Sequence, residues 1–159
     1  MNTHAVAIAQ TPPIVSRTIR SIFAIGVPFS ICDELILIRG LPGSGKTTRA
    51  RSLAILGFEH FEDAMHFERN HTHRTDSPST RDAAAWCQKM TRDALADGKR
   101  VVVRNTFTRL QEMEPYRAMF KHVRVVEAKG NWGNLHGVPA AMVQRMAERW
   151  DALPTSGGD

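Results

Sequence analysis

Apolar residues fall along this chain as short unbroken runs separated by longer stretches that repeat every three or four residues. The first run, Leu35-Ile36-Leu37-Ile38, is rich in β-branched residues and ends at Gly40. It predicts a strand buried on both faces. Lys46 to Leu56 predicts a helix, closed by Gly57 where a left-handed residue is favoured. Phe58 to Phe61 predicts a second, weakly marked strand. Residues 62 to 78 mix charges, histidines and Pro78 without a period, which reads as a mobile loop or a broken helix over a site.

Ser79 to Asp97 carries the clearest helical pattern, with Ala83, Trp86, Cys87, Met90, Ala94 and Leu95 on one face and Gly98 closing it. Val101-Val102-Val103 predicts a third strand and Val123 to Val126 a fourth. Between them, Thr108 with Gln111 has capping-box spacing, and Pro115 suits the first position of a short helix. After a Gly/Asn-rich loop from Gly130 to Gly137, Pro139 leads a last helix with Met142, Val143, Met146 and Trp150 on one face. Strands alternating with helices predict βαβ units. The expected fold class is α/β: a three-layer α/β/α sandwich, mostly parallel, with Leu35 to Arg39 as its central strand.

The ends differ from this pattern. Residues 1–33 read as a poorly ordered leader; their apolar stretch after Arg17 and Arg20 is too short to span a bilayer. The folded unit is expected over 34–153, with 154–159 as a flexible tail. At 159 residues and 42% hydrophobic content there is room for one core and no second domain. Cys32 and Cys87 lie far apart with no metal-ligand spacing, which suits a reducing, cytoplasmic setting with no membrane span. A net charge of +5 favours anionic partners, nucleotides or nucleic acid, although the basic residues are dispersed as on an ordinary solvated surface.

The chemistry is concentrated in Gly40-Leu41-Pro42-Gly43-Ser44-Gly45-Lys46-Thr47, followed by Thr48. This matches G-x-x-x-x-G-K-[ST] between a predicted strand and a predicted helix, the phosphate-loop context of a P-loop NTPase fold. Glycines let backbone N–H groups surround phosphate oxygens, and the helix adds the positive end of its dipole. Lys46 is expected to reach the β- and γ-phosphates of ATP, and the Thr47 hydroxyl to ligate Mg²⁺. The loop alone does not choose among kinases, motors and GTPases. The third strand ends in Arg104-Asn105-Thr106 rather than paired acids, and the chain has no room for a lid domain, so elimination favours a small kinase.

Further features carry a family resemblance: His60-Phe61-Glu62 with Met65 and Phe67, Trp86-Cys87-Gln88, Asn105-Thr106-Phe107-Thr108, Asn134-Leu135-His136-Gly137-Val138-Pro139, and Met146 with Arg149-Trp150. Together with the loop, these make the chain resemble small P-loop kinases grouped with the phage polynucleotide 5′-kinases, and more closely a bacterial branch of AAA-type ATP-binding proteins. The resemblance covers nearly all of residues 35–153. It implies an acid after the second strand that serves as general base toward an acceptor hydroxyl. The bacterial branch usually has Glu-Ala-Asp-Met there, whereas this chain has Glu62-Asp63-Ala64-Met65.

Asp63 is therefore the candidate base with Glu62 as its substitute, the alternative being that both are solvated or capping residues. Moving an acid by one place turns it to the other face wherever the strand continues. The resemblance also implies lid arginines, yet Lys129 to Asn134 holds none, leaving Lys129, Arg145 or Arg149 as replacements. Asn105 and Thr106, at a strand's carboxyl end, are candidates to position the acceptor or a Mg²⁺-bound water, or else simple turn formers. His60, His66, His71 and His73 lack zinc-site spacing. Arg69, Arg74 and Arg81 are candidate contacts for an anionic acceptor or plain loop charges.

The expected function is transfer of the γ-phosphate of ATP to a hydroxyl of a nucleoside, nucleotide or polynucleotide. The alternatives are a nucleotide-gated binding module or degenerate kinase, and ATP hydrolysis without an acceptor.

Overall fold

The computed structural model describes residues 35–69, 80–133 and 137–154. Outside them lie the leader, the tail beyond Pro154, and the candidates His71, His73, Arg74, Asn134 and His136. The elements are β1 (Leu35–Arg39), α1 (Lys46–Ile55), β2 (Glu59–Phe61), α2 (Ala64–Arg69) and α3 (Thr80–Ala96). They continue with β3 (Val101–Arg104), a 3₁₀ turn (Leu110–Met113), α4 (Glu114–Arg117), β4 (Val123–Glu127) and α5 (Ala140–Glu148).

The sheet has the order β2-β3-β1-β4. Its pairings are parallel throughout, with Leu35 opposite Val101 on one side and Val123 on the other. The loop strand is thus internal, as the unbroken apolar run required. Alternation along the strands sends side chains to two cores. Leu35, Leu37, Val101 and Val103 meet Cys87 and Ala94 of α3 together with Met113 and Tyr116. Ile36, Ile38 and Val102 meet Ala50 of α1, Phe58 and Ala128. Helices on both faces make three layers. Each of these fully buried aliphatic side chains stabilises the sandwich by about 1.5–3 kcal/mol relative to exposure.

Several sequence expectations shift in detail. Phe58 precedes β2 rather than opening it, and is buried beneath the Arg100 guanidinium, 4.6 Å from the ring centroid. The stretch after β2 contains the short helix α2. The capping box does not form: Thr108 Oγ1 pairs with Glu112 Oε1 at 3.0 Å, and the 3₁₀ turn that follows starts at Arg109 with no side-chain cap. A capping box needs its Ser or Thr at the N-cap, and that position is held by Arg109, one residue after Thr108. Pro115 does lie in the first turn of α4.

Trp150 is not on α5, which stops at Glu148. The chain turns at Arg149, and the indole lies 3.9 Å from the Arg39 guanidinium. Arg39, fully buried, donates from Nη2 to the carbonyls of Thr108 (3.3 Å) and Asp151 (2.9 Å). Without Trp150, the apolar face of α5 is short, and none of its residues is buried. Among the described residues, no helix is long and apolar enough to cross a membrane.

Candidate phosphate-binding and transfer site

The turn between β1 and α1 is made by backbone conformations that a side chain would oppose. Gly43 and Gly45 have φ of 81° and 89°, in the left-handed region open to glycine. A Cβ at Gly40 would lie 2.3 Å from Ser44 Oγ and 2.8 Å from the Ala128 carbonyl. Neighbouring strands hold the turn on both sides. Toward β3, Asn105 N donates to the Ile38 carbonyl (3.1 Å) and Gly40 N to the Thr106 carbonyl (3.2 Å). Toward β4, Ala128 N donates to Arg39 (2.8 Å), Gly130 N to Ser44 (3.1 Å) and Trp132 N to Gly43 (2.9 Å).

Crossovers leave β1 and β3 in opposite directions, so the turn sits at a topological switch point, where open α/β sheets bind ligands. Leu41, Pro42, Gly43 and Thr47 are half-buried, Ser44 is buried and Thr48 is exposed. Lys46, the first residue of α1, turns its ammonium back onto the carbonyls of Gly40 (2.7 Å) and Leu41 (2.9 Å). Burial pushes that ammonium down to about 8; repulsion from Arg104 adds to this and Glu62 opposes it. Beside the loop opens a cleft of about 320 Å³ lined by Leu41, Ser44, Glu127, Lys129, Ala147 and Trp150. Another, of about 430 Å³, lies at the far end of the sheet around Arg92, Leu95, Met119 and Phe120, away from the loop.

The two acids after β2 diverge, as strand alternation dictates. Continuing the β2–β3 register beyond Phe61 and Val103 sets Glu62 opposite Arg104 and Asp63 opposite Asn105. Glu62 forms an ion pair with Arg104, each side chain 13% exposed, on the face where α1 packs. Asp63 instead meets Asn105 twice: Asn105 Nδ2 donates to Asp63 Oδ1 at 2.8 Å, and Asp63 N donates to Asn105 Oδ1 at 3.0 Å. Beneath this pair, the Cys87 thiol reaches Tyr116, Asp63 and Asn105, and burial pushes the thiol up to about 12. Burial also pushes the Tyr116 phenol upward. Neither titrates near neutrality.

His60, on the α1 face, has its imidazole pushed down to about 4, by burial first and then by Arg104 and Arg51. Its Nε2 is buried without a hydrogen-bond partner among the described residues. Among those residues, no group of three or more His, Cys, Asp or Glu could hold a metal ion.

Three features are not evident from sequence pattern: the Arg104–Glu62 pair, the glycine seat of Trp132, and buried Arg39. A Cβ at Gly130 would lie 2.3 Å from Trp132 Nε1, and one at Gly45 would lie 3.3 Å from it. A charge closing an unbroken apolar run was the available signal for Arg39 and Arg104; for Trp132 it was the flanking glycines. Of the proposed lid cations, Lys129 is 79% exposed with Nζ 3.7 Å from Glu127 Oε1, and Arg145 and Arg149 are exposed.

A parallel sheet carrying a glycine-built loop of this form at its switch point defines a P-loop nucleotide-binding fold. A family model described as AAA domain matches residues 35–129, and the chain belongs to that family.

Solved structures share this fold. One is a gluconokinase from Sinorhizobium meliloti 1021, at 16% identity and TM-score 0.53, covering 79% of this chain and 79% of that one. Another is Kti12 of Chaetomium thermophilum in complex with ADP-AlF3, at 20% identity and TM-score 0.58, covering 74% and 80%. A third is the Pnkp1/Rnl/Hen1 complex, at 14% identity and TM-score 0.52, where the match covers 79% of this chain and 42% of that one.

Proposed function

We propose that the chain is an ATP-dependent kinase acting on a hydroxyl of a nucleoside, nucleotide or polynucleotide. Residues Gly40 to Thr48 bind the triphosphate, and the cleft between Leu41 and Trp150 gives room for the nucleoside. On binding, Lys46 exchanges the Gly40 and Leu41 carbonyls for phosphate oxygens, which restores a full charge partner to a partly desolvated ammonium. Mg²⁺ takes oxygen donors and keeps several waters, so one protein hydroxyl, that of Thr47, suffices beside the phosphates. When bound, it neutralises charge on the phosphates.

Asp63 accepts the acceptor's proton. The acceptor oxygen forms its bond to the γ-phosphorus as the bond to the β,γ-bridging oxygen breaks; ADP leaves, and the proton passes late to the carboxylate. Glu62, engaged with Arg104, is the weaker candidate for this role. The observation that carries the reading is the Asp63–Asn105 pair at the same end of the sheet as the loop, in which Asn105 donates to the carboxylate and accepts from the Asp63 backbone N–H. Likeness in fold to Pnkp1-containing and gluconokinase structures supports a kinase, and the net charge of +5 supports an anionic acceptor.

Labelled ATP incubated with oligonucleotides and nucleosides tests this reading. Transfer to an acceptor that Asp63→Asn abolishes supports it; transfer unchanged in that variant removes Asp63 from the mechanism. A nucleotide-gated binding module is the second reading, favoured because Gly130 and Trp132 already strap the loop through its carbonyls. Binding of ATP with neither transfer nor hydrolysis would select it.

A further inference from the structure

The lid offers the phosphates little positive charge, but the sheet offers some. Arg104 ends β3, the strand next to the loop strand, and stands opposite Ile38 in the register. Partnered residues share a face, so Arg104 lies with Ile38 and Val102 on the side where α1 packs, the helix that Lys46 opens. Glu62 joins it from β2.

Four features converge within this corner: the ammonium of Lys46, the guanidinium of Arg104, the amino end of α1 and the loop N–H groups. Among the described residues, the carboxylate that acts on both cations is Glu62. Such a corner carries net positive charge in a partly dehydrated setting, which is unfavourable until an anion enters. The guanidinium is also under-used: Glu62 engages Nη2, and Nε is buried without a hydrogen-bond partner among the described residues. Lys46 feels the guanidinium's charge directly.

We propose that Arg104 is the second phosphate cation of the site, reaching the β- or γ-phosphate from the sheet and supplying the guanidinium that the lid segment 129–134 lacks. Glu62 is then its positioning residue, holding the guanidinium in place before ATP arrives. This assignment rests on the ATP-binding reading above and adds a contact that the loop motif does not contain.

Calorimetric titration of ATP and AMP into the full chain tests it. Removing a charged hydrogen-bond partner weakens binding by about tenfold or more. Arg104→Gln is therefore expected to weaken ATP by about that factor while leaving AMP, which lacks the β- and γ-phosphates, within about twofold. Arg104→Lys should recover part of the loss, and a thermal melt checks that each variant is folded. Glu62→Gln, which removes the negative charge and keeps the cation, is expected to hold or tighten ATP binding; it decides the matter if the Arg104 variants do not fold.

Equal ATP affinity in wild type and folded Arg104→Gln would overturn the assignment and leave the kinase reading standing. So would an equal loss of ATP affinity in Arg104→Gln and Glu62→Gln, which would make the pair purely structural. Failure of wild type to bind ATP at all would instead sink the kinase reading itself.

Discussion

The phosphate loop and the acid pair lie at the same end of one sheet but are built from different material. The loop is made of backbone: glycines at positive φ, N–H groups and carbonyls tied to the exits of β3 and β4. The acid pair is made of side chains, and each acid is defined by a partner 42 residues away, Glu62 by Arg104 and Asp63 by Asn105. A backbone site is written in one contiguous stretch of sequence and tolerates single substitutions only where neither a required glycine nor a functional side chain is replaced. A side-chain site is written across strands and changes character when one partner changes.

The largest break in that contrast is Lys46→Ala, which removes the loop's one charged side chain. ATP affinity by calorimetry is expected to fall at least about a hundredfold, the scale of two lost charged hydrogen bonds. Retained affinity would mean that the loop does not hold phosphate. Next comes Asp63→Asn, expected to lower kcat by about 10²- to 10⁴-fold with the KM for ATP nearly unchanged. Steady-state kinetics in which Glu62→Gln did the same damage and Asp63→Asn did none would exchange the roles of the two acids.

Gly130→Ala probes the loop's outer strap. The new Cβ would collide with the Trp132 indole, so tryptophan emission should shift and stability fall by about 1–3 kcal/mol in urea. An unchanged emission spectrum would show that the indole does not rest on Gly130 in solution. The smallest effect concerns His60. Its folded pKa, about 4, lies below the ordinary 6.5, so the unfolded chain binds the extra proton first. Stability should therefore decline as pH falls from about 6.5 toward 4, and His60→Gln should flatten part of that decline in urea midpoints measured across the window. An identical slope in the variant would place the pH dependence elsewhere.

The same contrast explains what could be read from the chain alone. The loop, the central strand and the helix after it were visible because each is local: an apolar run, a glycine motif and a stop at Gly57. The splitting of Glu62 and Asp63 onto opposite faces was legible too, since it follows from strand alternation. Their partners were not, because pairing Glu62 with Arg104 requires the β2–β3 register, and two short parallel strands do not announce it. Trp150 fitted the helical repeat of α5 and yet lies beyond its end, because the Arg39 guanidinium gives the indole a better partner than the helix face does. Thr108 found Glu112 rather than Gln111 because the turn begins one residue later than the motif spacing assumes, with Arg109 at the N-cap.

Arg39 reaches further than its position suggests. A guanidinium sealed inside the sandwich and bonded to the Asp151 carbonyl ties the strand before the loop to chain more than a hundred residues later. Asp151 in turn donates its N–H to the Thr108 carbonyl and accepts the Leu110 N–H on Oδ2. Shortening the protein past Trp150 would strip a trapped cation of its cover at the very base of the glycine loop. Fusions, tags and affinity handles at that end therefore belong after Leu153.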